Sequence, residues 1–159
     1  MSGQRRGSLS AARAAGRAFC LAALGLAVGL GCARGQAKYP ELRALDGTVS
    51  VVTEDIAPGT ARFFSFRGAS GRTADFFVYR ESDGDAHAAL DACRTCARWK
   101  KGYRLEGDRM VCSYCGMRFE LDALTGGIGS CVPIALPASR RGERLQIAAE
   151  TLEDGLRYF

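Results

Sequence analysis

Histidine is nearly absent from this chain, since His87 is the single one among 159 residues. Acid–base and nucleophilic catalysis usually need a histidine or a matched pair of carboxylates, and the carboxylates here are scattered along the sequence. A phosphate-binding loop is also missing, because no helix signature follows the glycine-rich stretch 126–129. The sequence therefore predicts no turnover chemistry for this protein, and His87 is expected to be a solvated or hydrogen-bonded strand residue.

Acidic residues are absent before Lys38, where four arginines precede an uncharged run of 14 mostly small and apolar residues at 18–31. A membrane-spanning helix needs about 20 such residues, whereas the apolar core of a signal peptide is shorter. Residues 1–37 are therefore predicted to be a signal peptide or an N-terminal membrane anchor. Cleavage after Ala37 and lipid attachment at Cys32 are alternatives. Each implies an exported protein at the periplasmic or extracytoplasmic face of the membrane.

The basic net charge belongs to this first segment. Five of the 22 basic residues precede Lys38 and none of the 17 acidic ones do, so residues 38–159 carry 17 of each sign. A neutral domain lacks the electrostatic footprint of a nucleic-acid-binding protein. We therefore expect no nucleic-acid partner, and no small-molecule substrate is evident from the sequence.

Residues 38–159 carry mainly strand signals. Short β-branched and aromatic segments alternate with glycine-, proline- and aspartate-containing turns, and the phenylalanines are expected in a sheet core. Thr151 is expected to open a short C-terminal helix at 150–158. The sequence predicts a mainly β fold, a single small β-rich domain with that one helix. The predicted strands are Thr48–Val52, 62–66, 74–79, 87–92, 103–105, 109–111, 117–121 and 145–148.

Cysteines are the strongest functional signal. Cys93 and Cys96 form one Cys-x-x-Cys pair, and Cys112 and Cys115 form a second after fifteen residues. Two such pairs predict a four-thiolate metal site built from two knuckles, and Gly116 is expected to close the second with a positive φ. Disulfides are the alternative in an exported protein, but each would close a very short loop and restrain the unfolded chain little.

Cys131 follows sixteen residues after the second pair and decides between zinc and iron. A fifth thiol is surplus to a closed zinc site, whereas it can ligate a cluster, replace one of the four, or be a buried apolar residue. The glycine-rich stretch 125–130 is expected to bring Cys131 back to the other four. Met110 and Met117 are expected in the core rather than at a metal.

The cysteine segments resemble a known family, the FtrD-like membrane iron–sulfur proteins. The resemblance covers roughly residues 56–159. Its motifs run from Asp91 through both cysteine pairs to Gly116, then through Ser130-Cys131-Val132-Pro133-Ile134 to the C-terminal 152–159. The Gly102-Tyr103 insert between the two pairs is a further shared feature.

This resemblance implies an iron–sulfur cofactor and a role in electron transfer or iron acquisition, beside an iron permease or a redox partner at the membrane. It also implies that residues 38–159 are an FtrD-like cysteine-rich metal-binding domain and that the protein is an electron carrier rather than an enzyme. The alternative is a zinc-ribbon module whose metal is only structural. By the resemblance, the metal-binding and cofactor-binding residues are Cys93, Cys96, Cys112, Cys115 and Cys131.

Overall fold

The structure is a computed structural model that describes residues 37–159, and these residues belong to one compact unit. The predicted signal or anchor segment, including Cys32, lies outside the described residues apart from Ala37. Within the described part of the chain, no helix has the length and hydropathy needed to cross a bilayer.

The described residues contain eleven short strands and one short α-helix. The helix α1 (Ala149–Gly155) continues as a 3₁₀ turn at Leu156–Tyr158, and two further 3₁₀ turns lie at Ala97–Trp99 and Leu121–Ala123. The strands are β1 (Glu41–Leu42), β2 (Thr48–Val52), β3 (Thr60–Arg67), β4 (Thr73–Arg80), β5 (Ala86–Leu90), β6 (Tyr103–Glu106), β7 (Arg109–Cys112), β8 (Arg118–Glu120), β9 (Ala135–Leu136), β10 (Ala138–Arg141) and β11 (Arg144–Ala148). The mainly β fold with a short C-terminal helix is thus confirmed.

The strands form three sheets. The largest has the order β1-β3-β4-β5-β9 and is antiparallel apart from the β1–β3 pair, while β10-β11-β2 and β6-β7-β8 are antiparallel three-stranded sheets. The small β6-β7-β8 sheet delivers the second cysteine pair. The end of β5 delivers the first.

Strand β4 separates two hydrophobic cores. Phe76 and Val78 point into a core shared with β2, β11 and α1, whereas Phe77 and Tyr79 point into a second core that contains the cysteines. Successive side chains of a strand face opposite sides, so an almost continuous apolar strand can serve both cores. The metal centre is therefore packed directly against the main sheet.

Three details differ from the sequence predictions. Helix α1 begins at Ala149 after Ala148, without a side-chain cap, so Thr151 lies inside the helix and does not open it. The sequence predicts none of β1, β9 and β10, because β1 and β9 have only two residues each and the four residues of β10 are all exposed and show no apolar alternation. Met110 is buried as expected, but Met117 is half exposed, because it lies directly after the second knuckle rather than over a core.

Candidate metal centre

Three segments of the chain carry the cysteines to one place. Cys93 and Cys96 lie in the turn after β5, Cys112 ends β7, Cys115 lies in the turn before β8, and Cys131 lies in the loop before β9. All five have free thiols. Four of them are buried in the second core or its edge, and Cys115 is exposed. The group of five thiols is therefore buried except at Cys115, where it reaches solvent.

The sulfurs form two overlapping groups. Cys93, Cys96 and Cys112 have Sγ atoms within 4.8 Å of one another, and so do Cys96, Cys115 and Cys131. Cys131 Sγ lies 3.5 Å from Cys96 Sγ and 3.4 Å from Cys115 Sγ. Among the described residues the two groups share only Cys96, so the donor set is elongated.

The first knuckle is closed by its own backbone. The Cys96 N–H donates to Cys93 Sγ at 3.1 Å, and the Ala97 N–H donates to the Cys93 carbonyl at 3.1 Å. The chain then turns through Ala97–Trp99 and reverses at Lys100, which has a φ of 51°. No glycine is needed at the position after Cys96, because this turn is right-handed there.

The second knuckle has the backbone that the sequence predicts. The Gly116 N–H donates to the Cys112 carbonyl at 2.9 Å, and the Cys112 N–H donates to the Met117 carbonyl at 2.9 Å. Gly116 has a φ of 76°, which L-residues with a side chain rarely adopt. The expectation of a positive φ at Gly116 is confirmed.

Two polar side chains hold the Cys131 loop against the knuckles. The Thr95 hydroxyl donates to the Ser130 carbonyl at 2.9 Å, and the buried Tyr103 hydroxyl donates to the Cys131 carbonyl at 2.6 Å. Because both acceptors flank the sulfur of Cys131, these contacts fix its position. Sequence reasoning missed both roles. The placement of Thr95 inside a Cys-x-x-Cys pair was the available signal.

A buried carboxylate braces the first knuckle from behind. Asp91, whose side chain is 1% exposed, accepts hydrogen bonds from Lys38 Nζ at 2.9 Å, the Tyr39 hydroxyl at 3.2 Å and the Tyr103 N–H. Burial raises the pKa of Asp91, and the Lys38 ammonium opposes that rise. Asp91 begins the family motif in the sequence, but the sequence does not predict this bracing contact. Its role is to join the N-terminal end of the described chain to the cysteine turn.

Local contacts divide the thiols into two chemical types. The Met117 N–H and neighbouring thiols lower the pKa of Cys115 to about 7. Burial would raise the pKa of Cys93, but the hydrogen bond from the Cys96 N–H and other neighbouring groups outweigh it and lower the pKa. Burial raises the pKa of Cys131 to about 11 and also raises the pKa of Cys96. Metal binding would therefore have to displace protons from Cys96 and Cys131.

The metal-free protein should be alkylated first at Cys115. This thiol combines exposure with a pKa of about 7, and the thiolate is the reactive form. At neutral pH we expect iodoacetamide to modify Cys115 about tenfold faster than the buried Cys131, whose pKa is higher. Peptide mass spectrometry over a time course measures this order. Equal rates at the two positions would contradict it.

His87 lies outside the sulfur groups, as expected. It sits in β5 opposite Tyr79 and its Nε2 is 3.4 Å from Glu81 Oε1. Thr125 donates to the same Glu81 oxygen at 3.1 Å and is 2.9 Å from the Tyr79 hydroxyl. His87 thus belongs to a polar network at the start of the glycine-rich loop.

The donor set fits an iron–sulfur group. Thiolates are the soft ligands that such clusters take, and five of them converge here. A cavity of about 390 Å³ borders Cys93, Cys96 and Cys112, which leaves open space beside the sulfurs. The five thiols and the space beside them therefore suit a cofactor of several atoms.

Two solved structures resemble the chain weakly. One, described as "Complex of reduced oxygenase and oxidized ferredoxin in carbazole 1,9a-dioxygenase", has 21% identity and a TM-score of 0.46 and covers 66% of this chain and 95% of that chain. The other, "Ferredoxin of carbazole 1,9a-dioxygenase from Nocardioides aromaticivorans IC177", has 19% identity and a TM-score of 0.39. The match covers 62% of this chain and 92% of that chain. No curated protein matches the chain significantly.

The family comparison is decisive. Residues 56–159, which include all five cysteines of the site, match the family described as "Membrane iron-sulfur containing protein FtrD-like". This match confirms the resemblance drawn from the cysteine motifs. Together with the converged thiols it identifies the cofactor as an iron–sulfur cluster and disfavours the purely structural zinc ribbon. The chain belongs to the FtrD-like family of membrane iron–sulfur proteins.

Proposed function

We propose that this protein is an exported, membrane-associated electron-transfer protein whose cluster is held by Cys93, Cys96, Cys112, Cys115 and Cys131. The observation that carries the proposal is the elongated arrangement of their sulfurs in two groups joined at Cys96. The family assignment supports the same cofactor.

The sulfur geometry distinguishes a cluster from a single ion. Four thiolates around one zinc at about 2.3 Å would lie only about 3.8 Å apart, all within one group. The described cysteines instead provide two groups of three, and no group of four lies within 4.8 Å. A donor set of this length suits a centre with more than one metal atom. Since clusters commonly take four cysteines, the site holds one thiol more than that number.

An iron–sulfur cluster supplies reversible one-electron chemistry when bound. The chain's own residues would hold and shield such a cluster. Phe77, Tyr103 and Met110 pack against the buried cysteines and keep water from that side. Backbone N–H groups of Cys96 and Met117 point at sulfurs and stabilise their negative charge. The exposed Cys115 leaves one edge open, through which electrons can be exchanged.

The cellular setting forms part of the proposal. Residues 1–37 would direct export or anchor the chain, with Cys32 as a possible site of lipid attachment, and residues 38–159 would form the FtrD-like domain. By the family resemblance the domain would serve iron acquisition beside an iron permease or another membrane redox partner. The membrane family and the basic, acid-free first segment support this setting.

Anaerobic purification of the full chain from membranes tests the proposal. We expect a coloured protein with a visible absorption band that dithionite bleaches, and with iron and acid-labile sulfide in similar amounts. The disulfide alternative would give a colourless protein without iron. One zinc per chain, with no iron or sulfide, would overturn the redox function.

The intact mass of the same preparation tests the N-terminal segment. We expect either a chain that begins at Lys38 or one that carries a lipid on Cys32. An unmodified full-length chain recovered from the soluble fraction would contradict export and membrane attachment while leaving the cluster proposal intact.

A further inference from the structure

Two exposed aromatic rings cover the junction of the two knuckles. Trp99 follows the first knuckle and Tyr114 lies inside the second, and their rings stack with centroids 3.8 Å apart and planes 14° apart. Trp99 is 38% exposed and Tyr114 is 47% exposed. Each ring thus packs against the other and still presents a surface to solvent. The neighbouring Cys115 and Met117 are exposed as well.

Among the described residues, cations without a carboxylate partner are concentrated in the segment of the chain that contains Trp99. The segment 92–105 contains five basic residues and no acidic one, although residues 38–159 are neutral as a whole. Arg98 lies 4.5 Å from the centre of the Trp99 ring. Elsewhere on the described surface basic side chains often pair with carboxylates, as Arg109 does with Glu120 at 2.7 Å. Four cations of this segment form no ion pair among the described residues: Arg94, Arg98, Lys100 and Lys101.

We propose that this face, the Trp99–Tyr114 pair with its four cations, is the docking surface for an acidic redox partner protein. The inference rests on the proposed electron-transfer function and names the partner's chemistry. Exposed aromatic and arginine side chains are enriched at the centres of protein interfaces. The positive rim would attract a negative patch and speed encounter, and salt would weaken that attraction.

The position of the face favours a protein partner over a lipid surface. Trp99 and Tyr114 each lie within three residues of a cysteine of the site, and the exposed Cys115 directly follows Tyr114. A partner bound here would therefore approach the centre by its exposed side. A bilayer bound here would cover that side and close it to electron exchange.

Trp99 is the chain's single tryptophan, so its fluorescence reports on this face directly. The experiment uses the full chain reconstituted in phosphatidylcholine vesicles and poly-L-glutamate as an acidic polypeptide probe. We expect poly-L-glutamate to change the Trp99 emission at low salt, and the change to disappear as the salt concentration rises well above about 0.1 M. The double variant Lys100→Glu/Lys101→Glu should bind the probe at least about tenfold more weakly.

Arg141→Glu/Arg144→Glu is the matched control. These arginines face each other across the β10–β11 hairpin, are exposed, and undergo the same change of charge. The control should bind poly-L-glutamate nearly as the unmodified protein does. It should also be oxidised by ferricyanide at an unchanged rate after dithionite reduction, each ferricyanide accepting one electron and becoming ferrocyanide. Lys100→Glu/Lys101→Glu should slow that oxidation about tenfold.

Three outcomes would overturn the docking surface. These are equal losses in both double variants, no response of Trp99 to poly-L-glutamate, or a response of Trp99 to phosphatidylglycerol in the vesicles without one to the polypeptide. The last would assign the face to an anionic membrane. Iron and sulfide content is measured separately. A protein that lacks both but still binds poly-L-glutamate through Lys100 and Lys101 would sink the electron-transfer function and leave the docking surface standing.

Discussion

Replacing Cys96 with serine is expected to abolish cluster binding. Its Sγ belongs to both sulfur groups, so its loss removes a donor from each. Loss of a hydrogen-bonding partner of a ligand already costs about 10- to 100-fold in metal affinity, and we expect the loss of this thiol to exceed the upper figure. The visible absorption and the iron and sulfide content of the anaerobically purified Cys96→Ser variant measure the effect.

Cys20→Ser is the control for this substitution, because it makes the same chemical change in the predicted leader. It should keep the full spectrum. Cys131→Ser then tests the fifth thiol. Since Cys131 Sγ lies 3.4 Å from Cys115 Sγ and 3.5 Å from Cys96 Sγ, we expect it to lose most of the absorption too. If the spectrum of Cys131→Ser is unchanged, Cys131 is not a ligand. If the spectrum of Cys96→Ser is unchanged, the proposed arrangement of the ligands is wrong.

Replacing Gly102 with alanine should destabilise the fold and disturb the metal centre. Gly102 has a φ of 63°, where a side chain costs about 1–2 kcal/mol. A Cβ there would also overlap the carboxylate of Asp91. Asp91 would have to withdraw from Lys38 and from the Tyr103 N–H, and an unsatisfied buried group costs about 1–3 kcal/mol. We therefore expect a total loss of about 2–5 kcal/mol in the free energy of unfolding.

The variant Gly107→Ala is the control that separates the two contributions to the loss of stability, the clash with Asp91 and the backbone strain. Gly107 has the same φ of 63° in the β6–β7 turn, but a Cβ there would meet nothing within 4 Å. Its expected cost is only the backbone strain, about 1–2 kcal/mol. Denaturant unfolding of the reduced, metal-free protein measures both variants. Similar losses for the two would show that the contact between Gly102 and Asp91 contributes nothing to stability.

Local sequence patterns were sufficient where one strand or turn decides the outcome. Strand β2 is observed at the predicted Thr48–Val52, because its β-branched residues alternate between a buried face and a half-buried one. The positive φ of Gly116 followed from the geometry of a Cys-x-x-Cys turn. Strand β10 escaped prediction because Ala138–Arg141 are all exposed and pair through the backbone alone.

The helix start shows why a favourable residue can mislead. Thr151 is a good N-cap by type, yet the helix begins at Ala149. The preceding strand β11 continues to Ala148 and pairs with Thr48. The sheet therefore fixes where the helix can begin, and packing of Leu152 into the first core holds it there.

The sequence by itself determined the mainly β fold, the two cysteine pairs, the extra thiol and the neutral charge of residues 38–159, because each depends on residue type and short-range spacing. Only the tertiary structure decided that Cys131 contacts Cys96 and Cys115, that Asp91 and Tyr103 brace the site, and that Trp99 stacks on Tyr114. These pairs are separated by 12 to 35 residues along the chain. Spacing alone cannot fix such distances, since they depend on how β5, the small sheet and the glycine-rich loop pack together.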